Sequence, residues 1–305
     1  MLYHVSNREK KRREEDGGVA DNMVRMLKDA LKGVISQEEV TQLYGGFDIV
    51  GDIAVIKIPD SLLSKKKMIA DALMKHVKSV KTVLMQTTPV SGKYRTRSLE
   101  VIGGEQRTET VSKEHGCVFK IDLAQAYFSP RLSTERLRIA ELVKPGETVT
   151  NLFAGVGTFS IVIAKKVPET KGYSIDANPA AHELALENIR LNKVGDRVTA
   201  MLGDAREVVE QVKGEADRVL MPLPEEAADF LDVAVKALKR PSGVIHYYTH
   251  VYAEKRENVF DEARKELDKS IKADYEVTAQ RIVREVGPRW YQVVLDLKVS
   301  TDASS

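Results

Sequence analysis

Gly155 and Gly157, followed by Asp176, are the residues whose types and spacing most directly suggest chemistry. They lie in and after Thr148-Val-Thr-Asn-Leu-Phe-Ala-Gly-Val-Gly-Thr-Phe-Ser160. That stretch reads as a buried strand, a glycine-rich turn and the start of an amphipathic helix. Glycine lets the backbone approach a ligand closely, and the helix N-terminus behind it offers free N–H groups. A second predicted strand, Lys171-Gly-Tyr-Ser-Ile-Asp176, ends in an acid about 20 residues on, where a ribose-binding carboxylate belongs. The combination is that of a nucleotide-type cofactor site. The third glycine of a dinucleotide fingerprint is missing, which disfavours NAD.

Further candidates fall at the ends of later predicted strands. Asp204, in Leu202-Gly-Asp-Ala-Arg206, is placed to reach an adenine edge, or to cap a helix from Ala205, or both. Asn151 is a polar residue inside a buried strand and needs a partner, either a cofactor or neighbouring backbone. In Met221-Pro222-Leu223-Pro224 two prolines remove two N–H donors and fix φ twice. Rigid apolar walls of that kind suit a planar ring, although a stiff strand–helix turn would read the same. Loop, spacing and strand-terminal acid together resemble the S-adenosylmethionine site of a Rossmann-type methyltransferase.

The elements that must position these residues follow from periodicity. From Ser133 onward predicted helices and strands alternate. The strands are 148–153, 172–176, 198–202, 218–221 and 243–248, with a hairpin-like pair near 275–282 and 291–298. Five parallel strands with crossover helices, closed by that pair, predict a doubly wound α/β domain at 131–305. Residues 44–130 mix helix 62–77 with strands at 82–85, 94–102, 109–113 and 118–121, which predicts a small α+β domain. Residues 1–43 read as a short charged segment with one helix over 19–31. Its mixed-sign run at 7–16 suits a solvated tail or an RNA-contacting arm.

Composition narrows the class. The 305 residues are 43% hydrophobic and 30% charged, as in a soluble globular protein, and length favours two domains. Net charge is only +2, so a nucleic-acid site must be a local patch. One cysteine excludes an internal disulfide and fits a reducing compartment, so a cytoplasmic protein is expected; a monomer is expected as well. Six scattered histidines show no zinc-like spacing, and no apolar run approaches a membrane span.

An ordered series of motifs then identifies a resemblance. Ala126-Tyr-Phe-Ser-Pro-Arg-Leu-Ser-Thr-Glu-Arg136 precedes the glycine loop. Ile175-Asp-Ala-Asn-Pro179, Arg218-Val-Leu-Met-Pro-Leu-Pro224 and Gly243-Val-Ile-His-Tyr-Tyr248 follow it. With Phe47-Asp-Ile-Val-Gly-Asp-Ile-Ala-Val-Ile56 and Lys93-Tyr-Arg-Thr-Arg97, the series resembles the archaeal/eukaryotic-type tRNA (guanine-N1-)-methyltransferases over about residues 44–298. That family methylates guanosine 37, beside the anticodon. The resemblance implies S-adenosylmethionine as cofactor and tRNA as partner, with neither metal nor membrane. It implies Glu135 as general base and Arg95 as the catalytic arginine. For the cofactor it implies Tyr127, Arg131, Asn151, Phe153, Ala154, Gly155, Gly157, Asp176, Ala177, Asp204, Ala205 and Pro222. For the base it implies Arg95, Arg97, Tyr127, Pro222, Leu223 and Pro224. Lys65–Lys67, Lys78, Lys81, Arg95 and Arg97 are candidate phosphate contacts.

Two departures stand out. Pro222 occupies the position of a family Asn. About 43 leading residues are short for the independent N-terminal domain that the family often carries. A wyosine-pathway enzyme remains an alternative, methylating carbon 7 of a tricyclic precursor or, ranked lower, transferring an aminocarboxypropyl group. A non-catalytic RNA-binding relative is the other.

Overall fold

The structure, a computed structural model, describes residues 25–43, 47–88, 92 and 94–301. The charged run at 7–16, the start of the helix predicted from 19, and residues 44–46 lie outside them. Two compact units divide the chain. The first is Met1–Lys113 with Lys120–Arg131, and the second is Glu114–Phe119 with Leu132–Ser305. Among the described residues no helix is long and apolar enough to cross a membrane.

The first unit is built on a four-stranded sheet of order β1 (Asp48–Val50), β2 (Ile53–Ile56), β3 (Thr82–Gln86) and β4 (Leu99–Gly104). The Ile-Ala-Val-Ile run of β2 is buried throughout, as a central strand requires. It pairs antiparallel with β1 and parallel with β3. A 3-10 turn, Asp60–Lys65, leads into helix α3 (Lys66–His76), splitting the single helix expected over 62–77. Ile69, Ala70 and Leu73 of α3 enter the core beneath the sheet. Helical residues 25–31 (α1) and α2 (Gln37–Gln42) bring Leu27, Leu31 and Val40 into the same core. Ser36 and Glu39 close a reciprocal capping box on α2. The expected strand over 94–102 begins only at Leu99. Residues 94 and 95 form a turn closed by the Arg95 N–H on the Gly92 carbonyl, 3.0 Å away. A hairpin of β5 (Glu109–Glu114) and β6 (Cys117–Asp122) follows, and its tip groups with the second unit.

The second unit carries a seven-stranded sheet. Its strands are β7 (Thr148–Asn151), β8 (Lys171–Asp176), β9 (Val198–Leu202), β10 (Arg218–Met221), β11 (Ser242–Tyr252), β12 (Tyr275–Gly287) and β13 (Trp290–Ser300). The spatial order is β12-β13-β11-β10-β7-β8-β9. Strands β7 to β11 run parallel, and β13 lies antiparallel between β11 and β12, so the expected doubly wound sheet with a closing pair is present. The helices are α4 (Ser133–Leu142), α5 (Thr158–Lys166), α6 (Pro179–Leu191), α7 (Ala205–Val208), α8 (Leu231–Ala237) and α9 (Val259–Ser270). Short 3-10 turns adjoin two of them, Val209–Gln211 after α7 and Ala227–Phe230 before α8. The chain winds outward from β7 through β8 to β9, then returns to β10 on the other side of β7. The topological switch therefore falls between β7 and β10, where open α/β sheets bind ligands beyond their carboxyl ends.

Candidate active site

Two groups of residues form at that end of the second unit, and a third runs from there to the amino ends of β7 and β10. At the switch point β7 ends in Asn151, which is fully buried. Its Oδ1 accepts from the Phe153 N–H at 3.2 Å. Its Nδ2 is buried and has no hydrogen-bond partner among the described residues. The loop then turns back: Ala154 N–H donates to the Ile175 carbonyl (2.8 Å) and Gly155 N–H to Asp176 Oδ2 (2.6 Å). Asp176 Oδ1 accepts from Asn178 N–H at 2.9 Å. Burial raises the Asp176 carboxyl, and these two backbone donors work against it. Asp176 thus braces the glycine loop against β8, and each oxygen keeps a lone pair for another donor. Gly155 and Gly157 both take positive φ, 54° and 85°, which L side chains rarely adopt. A Cβ on Gly157 would lie 3.1 Å from Ile161 Cδ1. Asp204 caps α7, accepting from Arg206 N–H at 2.9 Å. Ala177 is half-buried and Ala205 buried beside these acids.

The second group follows β10. Pro222, Leu223 and Pro224 are half-buried, and Leu223 N–H turns back onto the Met221 carbonyl (2.9 Å). Phe153 meets Phe230 edge-on at 4.9 Å, and the Arg206 guanidinium lies 3.6 Å above the Phe230 ring. His250 of β11 reaches the same loop, its Nδ1 lying 3.3 Å from Glu225 Oε1.

The third group surrounds Glu135 on α4, which is only 1% exposed. Its Oε1 accepts from Arg138 Nη2 and from the Tyr248 hydroxyl, both at 2.8 Å. Its Oε2 accepts from Arg138 Nε at 2.9 Å, and Arg281 Nε lies 3.8 Å away. Arg138 also grips Asp296, through Nη1 (2.6 Å) and Nη2 (3.2 Å). Asp296 Oδ1 in turn meets His246 Nδ1 at 2.6 Å, and His246 Nε2 meets Arg218 Nη1 at 2.6 Å. Arg218 ends the chain on Glu147 and the Leu142 carbonyl. The His246 tautomer follows from valence. A guanidinium can only donate, so Nε2 must accept, and the proton sits on Nδ1, pointing at Asp296. Burial lowers His246, against the pull of Asp296, which keeps the ring neutral. Burial alone would raise Asp296, but the His246 and Arg138 contacts outweigh it and hold the carboxylate well below its usual range. Burial also raises the Tyr248 hydroxyl, so it stays a donor. The resemblance singled out Glu135, while Arg138, Arg281 and Asp296 around it were not among the candidates. Helix α4 starts from Leu132 without a side-chain cap, and the Ser133 hydroxyl meets His115 Nε2 (2.8 Å).

The remaining candidates belong to the first unit. Arg95 is half-buried with φ 55°, in a turn rather than on a strand. The Arg97 guanidinium is lowered by burial, while Asp48 and Tyr127 favour its charge. Its Nη1 reaches Gln86 Oε1 at 3.4 Å. Arg131 Nε donates to Asp48 Oδ1 at 2.7 Å, so Arg97, Arg131, Tyr127 and Asp48 share one neighbourhood. Tyr127 is 36% exposed. Lys65 and Lys66 are matched by Glu39 and Glu100, which weakens them as phosphate contacts, whereas Lys67, Lys78 and Lys81 are exposed.

The family profile described as the TRM5/TYW2 methyltransferase domain matches residues 110–278, more than half of the chain. This chain belongs to that family. A second family profile, described as the TYW2 N-terminal domain, matches residues 27–108. The tRNA (guanine(37)-N(1))-methyltransferase Trm5b of Pyrococcus abyssi is 41% identical, over 87% of this chain and 78% of its own length. The tRNA 4-demethylwyosine(37)-methyltransferase Taw21 of Saccharolobus solfataricus is 36% identical, over 90% of this chain and all of its own length. Among solved structures, the complex of aTrm5 with tRNALeu matches with a TM-score of 0.78 at 36% identity, covering 90% of this chain and 78% of that one. The cofactor of this TRM5/TYW2 domain is S-adenosylmethionine. The residues here fit it: a buried amide without a partner on Asn151, a loop held at positive φ, and two strand-terminal acids with lone pairs to spare.

Proposed function

We propose that this protein methylates N1 of guanosine 37 in tRNA, with Glu135 as general base and Arg95 stabilising O6. Asn151, the Phe153–Gly157 loop, Asp176 and Asp204 would hold S-adenosylmethionine, which supplies a methyl group already activated on a sulfonium. The chain's own work is then to position the acceptor and remove its proton. Guanine N1 carries a proton and is a poor nucleophile until that proton leaves. A carboxylate can take it as the new N–C bond forms. Negative charge moves onto O6, where a guanidinium stabilises the transition state more than the ground state. The Pro222–Pro224 loop supplies rigid walls for a base taken out of its stack.

The observation that carries the reading is the state of Glu135. It is a buried carboxylate with Oε1 occupied by two donors and Oε2 by one, so Oε2 retains room for a proton. The identity to Trm5b supports the substrate. A second reading is supported by the full-length match to Taw21 and by Pro222 in place of the family Asn: methylation of a tricyclic precursor at the same nucleotide.

Methyl transfer from labelled S-adenosylmethionine, read by nucleoside mass spectrometry, tests both. We expect 1-methylguanosine on transcripts with guanosine 37, transfer to inosine 37, and none to adenosine 37, which lacks N1–H and O6. Product only on tRNA carrying the tricyclic precursor would favour the second reading. No product on any substrate would refute both.

A further inference from the structure

Buried polar groups at Glu135, Arg138, Asp296, His246 and Arg218 form one connected chain, and taking the proton from guanine needs only the first of them. We propose that Asp296 and His246 are positioning residues for the transfer step, acting through Arg138 to make Oε2 of Glu135 the proton-accepting atom. This rests on the reading of Glu135 as the base.

The geometry of Arg138 is the starting point. Arg138 presents one edge of its guanidinium, Nε and Nη2, to Glu135, and the other, Nη1 and Nη2, to Asp296. A guanidinium gripped on two edges has a fixed plane, and the carboxylate paired with it inherits that plane. Asp296 cannot turn away, because His246 Nδ1–H holds its Oδ1. His246 is held from behind by Arg218, which is anchored on Glu147. Tyr248 then fills the second lone pair of Oε1.

Charge balance gives this arrangement a consequence for the reaction. When the N1 proton moves to Oε2, Glu135 becomes a neutral carboxyl. Arg138, largely buried, would then lack an ionised partner on that edge. An unpaired buried guanidinium is costly and would oppose the transfer. Asp296 stays ionised throughout and keeps Arg138 paired before and after the proton arrives. The proton would come from N1, and the electron pair of the N1–H bond would form the bond to the methyl carbon as the methyl's bond to sulfur breaks and its electrons stay on a neutral thioether, so no further group changes charge in the chain. A buried ionic network is weak evidence for stability in itself. Here every member converges on one carboxylate.

The test is Asp296→Asn in the full-length enzyme. The single-turnover rate should fall about 10–100-fold, a part of what a general base contributes. KM for tRNA and the affinity for S-adenosylmethionine should be unchanged. The double variant Glu135→Gln, Asp296→Asn should be no slower than Glu135→Gln alone, because a residue acting through Glu135 has nothing left to act on. If the two losses multiply, or if Asp296→Asn keeps the wild-type rate, the proposal is overturned. If Glu135→Gln itself keeps the wild-type rate, the base assignment has failed instead. Circular dichroism establishes that each variant is folded. Should Asp296→Asn not fold, Arg138→Lys replaces it, keeping the charge while losing the two-edged fork. It should show the same slow turnover, and full activity with Lys would overturn the proposal.

Discussion

Neutral His246, locked between a donor and an acceptor at the centre of the second unit, makes folding stability depend on pH in a way that can be worked out. The ring is fully buried and its Nε2 accepts from Arg218, so protonating it would set N–H against N–H. Its folded-state pKa is accordingly lowered from the usual 6.5. The unfolded chain takes up this proton near 6.5 while the folded chain does not, so stability falls as pH drops below that value. Linkage for one such group amounts to at most about 1.4 kcal/mol between pH 7.5 and 5.5, reached when the folded ring takes up no proton in that range. For a unit of this size that corresponds to about 3–5 °C in melting temperature. His246→Gln offers an amide oxygen to Arg218 and an N–H to Asp296 but does not titrate. It should melt below the wild type at pH 7.5, and the gap should narrow by about 3–5 °C at pH 5.5. Paired thermal melts at the two pH values, in the same buffer series, measure it directly. A gap that stays constant would refute the neutral-ring argument. Asp296 acts in the same direction further down: its lowered folded value means that stability is lost once the pH falls below about 3.8, where the unfolded carboxylate protonates.

Two further expectations follow from buried polar groups. Asn151→Ala removes the partnerless buried amide at the end of β7, and affinity for S-adenosylmethionine should drop about 5–30-fold, the worth of one buried hydrogen bond. Calorimetry measures it, and an unchanged affinity would take Asn151 out of the cofactor site. Arg136→Met strips Glu114 of the guanidinium that pairs with it at 2.5 and 2.7 Å in a buried setting. Urea unfolding should register a loss of about 3–5 kcal/mol, and a loss below about 1 kcal/mol would contradict the burial argument.

The cofactor end of the second unit was legible because its signals are local. Strand, glycine turn, helix and strand-terminal acid fall in order within Thr148–Asp176, and hydrophobic periodicity alone placed all seven strands of the sheet. The environment of Glu135 was not legible for the opposite reason. Its partners stand at 138, 218, 246, 248 and 296, and only the sheet order brings them to one face. Arg138 reads as an ordinary solvated helix charge. One hint was available: Asp296 interrupts Val293-Val-Leu-Asp-Leu297, an otherwise apolar run that is buried throughout. An acid there needed a cationic partner inside the unit. Arg95 was placed on a strand because Tyr94-Arg-Thr-Arg97 lies next to a β-rich run. A backbone turn after Gly92 prevailed over that propensity, and pairing starts four residues later. The described N-terminal residues contribute to the core of the first unit because Leu27, Ala30 and Leu31 fall at helical spacing on α1, and Val40 of α2 joins them.

The position of β13 bears on how the chain reaches its working form. It is the last strand of the sheet in chain order, yet it sits inside the sheet and delivers Asp296 to Arg138 across 158 positions. Until β13 docks, a nascent chain would have to bury Arg138 and His246 without the acid that accepts their hydrogen bonds. Partial assembly of the sheet is therefore penalised, and the hairpin of β12 and β13 should join in the same cooperative step as β11. The glycine loop over 148–176 is therefore complete in the chain long before Arg138, which grips Glu135, gains its second carboxylate from β13.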